Sequence, residues 1–417
     1  MLEQEQSKTL DSQVVPSGYK LTEAGIIPDT WEVKTINDVA TFRGGAQPSK
    51  EFFSSKPKKG YIRLIQIRDY KSSEYETYIP EILAKKKCTE NDIMIGRYGP
   101  PIFQILRGIQ GAYNVALIKA VPTTMIEREY LYYLLKTNKL FVLMDGLSQR
   151  SSGQTGIELP ALKSYPVPLP TKLEQTAIAN VLSDTDALII ELEKLIAKKQ
   201  AIKTATMQQL LTARTRLPQF ARHSDGTIKV YKTSELGAIP EDWLVVSFKD
   251  VLTIKHGKNQ KRVESPSGQY PIYATGGRIG NATSYLFDKP SVLIGRKGTI
   301  DKPRYADTPF WTVDTLFYSE IKKNASVKFI YYKFCMIDWM QYNEASGVPS
   351  LNARTIENVL ITLPNLEEQT AIASILSDMD DELKALEQKL AKVRDIQQGM
   401  MQQLLTGRIR LPLEQQP

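Results

Sequence analysis

Two cysteines and two histidines in 417 residues leave little of the chemistry that binds metals or moves protons near neutral pH. Cys88 and Cys335 are far apart in sequence, which gives neither a disulfide framework nor a ligand cluster, and both read as filler. His223 and His256 are too few and too separated for a hydrolytic or zinc centre. No apolar run approaches the roughly 20 residues of a membrane span. The opening stretch MLEQEQSKTLDSQ lacks the basic and apolar regions of a secretory signal, so the cytoplasm is the expected compartment. Cofactor motifs are also missing. The one Pro-Pro pair, Gly99-Pro100-Pro101-Ile102, has the wrong flanks for an adenine methyltransferase. Gly276-Gly277-Arg278-Ile279-Gly280 has the wrong spacing for a dinucleotide loop and reads as a turn, and there is no Gly-Lys-Ser/Thr phosphate loop. Pro28-Asp29 beside Glu32-Val33-Lys34 superficially resembles a nuclease signature, but the second copy of this segment lacks the lysine.

What the chain does have is duplication. YKLTEAGIIPDTW (Tyr19 to Trp31) recurs as YKTSELGAIPEDW (Tyr231 to Trp243), and KLEQTAIANVLSD from Lys172 recurs as LEEQTAIASILSD from Leu366. Each half has a head, an insert and a tail. Between them the inserts hold the whole positive excess of a chain of net charge +8: 20 basic against 13 acidic residues from Glu32 to Pro168, and 16 against 10 from Leu244 to Thr362. Each insert reads as short β-rich runs broken by Gly, Pro and Asn, followed by a helical stretch, so α+β domains of a shared fold are expected. Faint echoes support this: Gly96-Arg97-Tyr98-Gly99 against Gly295-Arg296-Lys297-Gly298, and Ser152-Gly153 against Ser346-Gly347.

The tails are helical. Thr171 with Glu174, and Asn365 with Glu368, are capping signatures, and no breaker follows before Pro218 and Pro412, so each helix spans about 40 residues, or about 60 Å. Leu376, Met379, Leu383, Leu386, Leu390, Val393, Met400 and Leu404 form a three-and-four stripe interrupted only by Gln397. The first tail carries Leu182, Ile189, Leu192, Ile196 and Leu210 on the matching stripe, but also Thr185, Lys199, Lys203 and Thr206, which marks it as the weaker partner. Two such helices pair as a coiled coil, and antiparallel pairing gives two-fold pseudosymmetry; the competing arrangement packs each helix only on its own domain.

The division expected from these patterns is an N-terminal extension (1–18), head and first insert domain (19–168), first long helix (169–218), linker (219–230), head and second insert domain (231–362), and second long helix with tail (363–417). Within the inserts the chemistry suits DNA: guanidinium groups for guanine edges, amides for adenine, ammonium groups for phosphates. The candidate contacts are Arg43, Arg97, Tyr98, Gln104 and Arg107 in the first insert, and His256, Lys258, Arg278, Arg296, Lys297 and Arg304 in the second. Lys85 to Lys87 read as a phosphate patch or plain surface rather than as base readers.

The order and duplication of these segments resemble the DNA-specificity subunit of type I restriction-modification enzymes, over nearly the whole chain beyond about residue 15. The resemblance implies two target-recognition domains, each reading half of a bipartite double-stranded DNA site, with paired helices that separate them. It also implies two methyltransferase subunits and motor-nuclease subunits as partners, which would carry S-adenosylmethionine, ATP and Mg, and no catalysis or cofactor in this chain. The other readings left by the residues are a two-headed DNA-binding adaptor without such partners, and a coiled-coil scaffold.

Overall fold

The structure, a computed structural model, describes residues 15–148 and 156–412; the Ser152-Gly153 echo and most of the N-terminal extension lie outside these. In chain order, hairpin β1 (Tyr19–Thr22)–β2 (Gly25–Pro28) leads into β3 (Glu32–Thr35), one helical turn α1 (Ile36–Val39) and β4 (Ala40–Gly44). Strands β5 (Tyr61–Ile65), β6 (Tyr78–Pro80), β7 (Lys87–Cys88), β8 (Ile93–Gly96), β9 (Gln104–Leu106), β10 (Gly111–Tyr113) and β11 (Leu117–Pro122) follow. Then come α2 (Arg128–Leu135), α3 (Asn138–Ser148), α4 (Leu159–Ser164), β12 (Pro166–Leu169) and the long α5 (Lys172–Leu211). The second half repeats this plan: β13 (Tyr231–Ser234), β14 (Gly237–Pro240), β15 (Leu244–Ser247), α6 (Phe248–Val251) and β16 (Leu252–His256). After them run β17 (Tyr270–Ala274), β18 (Gly277–Ala282), β19 (Ser291–Gly295), β20 (Arg304–Ala306), β21 (Trp311–Thr312), β22 (Leu316–Ile321), α7 (Val327–Met336), α8 (Ala353–Asn358), β23 (Leu360–Leu363) and α9 (Leu366–Leu404).

The two inserts share a topology that their sequences barely show. One sheet has the order β4-β11-β8-β9 and its counterpart β16-β22-β19-β20; the other has β6-β5-β10-β7 against β18-β17-β21. In both copies the second sheet contains one parallel pair, β5 with β10 and β17 with β21. The ladders β3–β12 and β15–β23 close each insert at its base. The apolar sides of sheet and helix meet around Tyr130, Leu131 and Ile118 in one copy, and around Phe329, Ile330 and Phe317 in the other, all buried.

The chain divides into compact units that cut through both long helices: Met1–Glu191 with Leu390–Pro417, and Leu192–Lys389. Each unit therefore joins the first half of one helix to the last half of the other, which makes the pairing antiparallel. The repeated motifs are the parts of this joint. In the first unit the Trp31 indole donates to Glu174 at 3.3 Å, and Arg410, at the end of the second tail, donates to the same carboxylate. In the second, Trp243 donates to Glu368 at 3.1 Å and Arg216 grips that carboxylate with two bonds of 2.9 and 2.8 Å. Burial alone would raise the Glu174 carboxyl, but the bonds from Arg410 and Trp31 outweigh it and hold it below the usual range. Gln175 and Gln369 each accept a backbone N–H at the start of their domain's helix, from Glu127 at 2.7 Å and from Ser326 at 2.8 Å. Tyr133 and Tyr332 donate to Asp186 and Asp380, at 2.6 and 2.7 Å.

The helix caps read from sequence are present: Thr171 and Glu174 bond reciprocally, and Asn365 accepts from the Glu368 N–H at 2.8 Å. Both helices stop ahead of their prolines, at Leu211 and Leu404, each followed by a left-handed residue, Ala213 (φ 55°) and Gly407 (φ 69°). The stripe positions are buried or half-buried. One expectation needs correction. Lys199 and Lys203 do not weaken the first helix, because they pair with Glu382 (2.7 Å) and Asp380 across the seam. Gln397 does the equivalent in the first unit, donating to Asp186 at 2.7 Å. Such polar seam pairs fix register, since sliding either helix would leave them facing apolar neighbours.

Lys333 is a buried lysine on α7 that donates to the Leu211 carbonyl (2.6 Å) and to Thr362 (2.7 Å), with the Trp243 and Phe329 rings 5.8 and 5.5 Å from its nitrogen and no carboxylate among these partners. Burial pushes its ammonium down to about 7. An unfolded lysine titrates near 10.4, so between these limits the unfolded chain binds more protons than the folded one. Stability should then rise as pH is raised from about 7 towards 10 and be lowest below 7. We expect Lys333→Met to flatten this slope, by roughly 1–3 kcal/mol across the window. Urea midpoints between pH 7 and 9.5 test it; equal slopes for wild type and variant would refute the assignment.

Candidate nucleic-acid interface

Sheet register decides which sequence candidates can act together. In the first insert β4 and β8 both pair antiparallel with β11, so they run the same way, and β9 starts where β8 stops, Gln104 opposite Gly96. Arg43 near the end of β4, Arg97 and Tyr98 just beyond β8, and Gln104 at the start of β9 therefore gather at one end of the sheet. Arg43 and Tyr98 are exposed, and the Arg97 guanidinium lies 5.5 Å from the Tyr98 ring centroid. Gln104 is partly committed, donating to the Pro101 carbonyl at 2.9 Å.

Arg107 does not belong to this set. It follows β9, at the far end of the sheet, where its guanidinium stacks 3.8 Å from the Tyr132 ring centroid, bonds Glu129 and reaches Asp186 of α5 at 3.6 Å. The sequence assigned it to DNA because a lone arginine after a strand gives no hint of which end it occupies.

The second insert repeats the arrangement with more cations. His256 ends β16, Lys258 follows, Arg296 and Lys297 leave β19, and all four are exposed at the end marked by the start of β22. His256 sits edge-on to Phe317, with ring centroids 4.9 Å apart. Arg304 opens β20 at the same end and donates to the Gly276 carbonyl at 3.0 Å, tying the β17–β18 turn to the first sheet. Arg278, just past that turn, is exposed and bonded to Asn281.

Glycines shape both ends. A Cβ on Gly295 would fall 2.0 Å from the Thr299 carbonyl oxygen, so the Gly-Arg-Lys-Gly turn closes only without a side chain there. Gly45 and Gly257 form a joint that sequence inspection missed. A Cβ on either would lie 1.9 or 2.0 Å from a backbone oxygen, of Asn114 and Val313 respectively, in the loop entering β11 or β22. The next residues, Ala46 and Lys258, donate their N–H to Tyr113 (3.1 Å) and Thr312 (2.8 Å). This joint launches exposed polar segments from the same sheet ends, including Gln47, Asn259 and Lys261. The signal lay in FRGGA against IKHGK, aligned glycines with little else in common.

Fold and sites together define a duplicated two-domain protein with a donor-rich surface at one sheet end of each insert. Comparison with known proteins gives the class. The family model for the type I restriction modification DNA specificity domain matches residues 28–204 and again 240–394. A putative type I restriction enzyme specificity subunit, MjaX, of Methanocaldococcus jannaschii is 28% identical over 432 residues, covering 94% of this chain and 97% of the relative. The MjaVIII specificity subunit of the same organism is 25% identical, covering 92% and 94%. The type I restriction-modification S subunit of M. genitalium shares the fold, with a TM-score of 0.64 at 17% identity, covering 94% and 98%. The chain belongs to the family of type I restriction-modification DNA-specificity subunits, proteins of sequence-specific DNA recognition. No helix among the described residues is long and apolar enough to cross a membrane.

Proposed function

We propose that this chain reads a bipartite double-stranded DNA site, one half with each insert, and positions two methyltransferase subunits and motor-nuclease subunits without catalysing anything itself. The observation that carries this reading is the recurrence of one donor-rich sheet end on a single repeated topology, with different residues in each copy. Arg43, Arg97, Tyr98 and Gln104 would serve one half-site, and His256, Lys258, Arg278, Arg296, Lys297 and Arg304 the other. Arginine offers two parallel donors to guanine and glutamine both a donor and an acceptor to adenine, while lysines and backbone amides hold phosphates. Two matching α5/α9 joints suit two identical partners, which in this reading carry S-adenosylmethionine, ATP and Mg.

The test is reconstitution. The pure chain with labelled S-adenosylmethionine and DNA should transfer nothing; with the modification subunit, methylation should appear at an interrupted two-part sequence. Arg97→Ala or Arg296→Ala should then relax one base in one half-site, at about 1–3 kcal/mol per lost bidentate contact. Lys86→Ala should weaken all sequences alike and flatten the salt dependence. An Arg97→Ala subunit that loses cognate and random DNA equally would make Arg97 a phosphate contact.

A further inference from the structure

Arg107 has no cationic counterpart in the second unit. Strand β9 corresponds to β20, and with Gly96 matched to Gly295 the register places Tyr305 at its position, beside the Tyr331 ring and the Lys328 ammonium. The carboxylates on the helices do correspond, Asp186 to Asp380, each bonded by the equivalent tyrosine. They differ in where their cation comes from. Asp380 is paired by Lys203, a residue of the long-helix seam itself. At the Lys203 position the other helix carries neutral Gln397, which donates to Asp186 at 2.7 Å, and the cation reaching Asp186 is Arg107, from the sheet of the recognition domain. Position 129 differs in the same sense. Glu129 bonds Arg107, whereas its equivalent Lys328 donates to Ser377 of α9 at 2.6 Å.

We infer that Arg107 is a positioning residue. It fixes the orientation of the first recognition domain on α5, and so the helical phase at which that half-site is presented, without touching a base. This rests on the DNA-reading function proposed above. The geometry favours a strut: the guanidinium is held on three sides, by the Tyr132 ring, Glu129 and Asp186, and only about 29% of the side chain is exposed. It also lies at the sheet end away from Arg97. A planar group held this way resists rotation of the domain about the helix more than a single hydrogen bond does. B-DNA turns about once per 10.5 base pairs, so a small rotation of one domain changes the spacer the complex accepts.

The experiment compares methylation by the reconstituted complex on targets whose spacer is the preferred length, one base pair shorter or one longer. Arg107→Ala should lower discrimination between spacers by roughly threefold or more, with the bases of both half-sites unchanged. A second variant separates orientation from simple charge balance: Arg107→Ala with Gln397→Lys gives Asp186 a cation from the helix, copying the Lys203–Asp380 pair. Its melting temperature should return towards wild type while spacer discrimination stays low. Wild-type discrimination in Arg107→Ala, or its full return in the double variant, would overturn the inference. So would a relaxed base in the first half-site, which would make Arg107 a base reader. Absence of any bipartite methylation by the wild-type complex would overturn the DNA-reading function with it.

Discussion

Replacing Glu368 with alanine is expected to cost about 3–5 kcal/mol of unfolding free energy, because it removes one partner of a buried ion pair and strands the other. The carboxylate is 1% exposed and the Arg216 side chain 5%, and Arg216 grips it with two bonds. Asp242 would remain as the sole carboxylate on Arg216, already shared with Lys229, and the Trp243 indole would lose its acceptor inside the core. Two desolvated donors would be left without that acceptor, which is the expensive outcome; a well-packed apolar replacement of the whole cluster would cost far less. Glu368→Gln should fall between, since it keeps an acceptor for one donor. The control is Glu81→Ala, whose pair with Lys87 is half-exposed on both sides and, screened by water, should contribute little. Urea unfolding followed by tryptophan fluorescence measures both. A Glu368→Ala loss within the range of the control would mean that the repeated Glu-Gln motif is not what locks the joint. Glu174→Ala should show a smaller loss, because Arg410 is 43% exposed and can turn to water.

Exchange of the first insert for that of a related subunit should replace one half of the methylated sequence completely and leave the other half and its bases as they were. The structure says where to cut. Strands β3 and β12 form one ladder, Glu32 pairing with Leu169, so exchanging residues 32–169 moves both edges together, whereas ending at 168 would split the last pair. The donor must supply a tyrosine where Tyr133 meets Asp186, and a backbone N–H where Glu127 meets Gln175, because these contacts join insert to helix. The second insert closes through its own ladder, Leu244 to Leu363. Mapping methylated bases across a genome in cells carrying the hybrid gives the answer. Loss of both half-sites in a folded, partner-bound hybrid would show that the inserts do not read independently.

Local patterns in the sequence determined the elements that depend on near neighbours. Thr171 with Glu174 marked a helix start, the three-and-four stripe from Leu376 to Leu404 marked a seam, and the repeated heads and tails marked a duplicated chain. Each is a contact between residues a few positions apart, or a period that one face of a helix must keep. The excess of cations in the inserts likewise needed only counting. Tertiary structure decided what depends on partners far along the chain. Glu368 looked like a capping residue until Arg216, 152 positions away, was found on it. Lys203 looked like a flaw in a stripe until Asp380 faced it. The common fold of the inserts showed in sequence only as faint echoes, and its strand order not at all, because a sheet constrains burial and pairing more tightly than residue identity, which leaves few letters to align. Arg107 and Arg97 show the limit most clearly: both are basic residues just past a strand, but antiparallel order puts them at opposite ends of one sheet, and strand direction within a sheet is written in no local spacing.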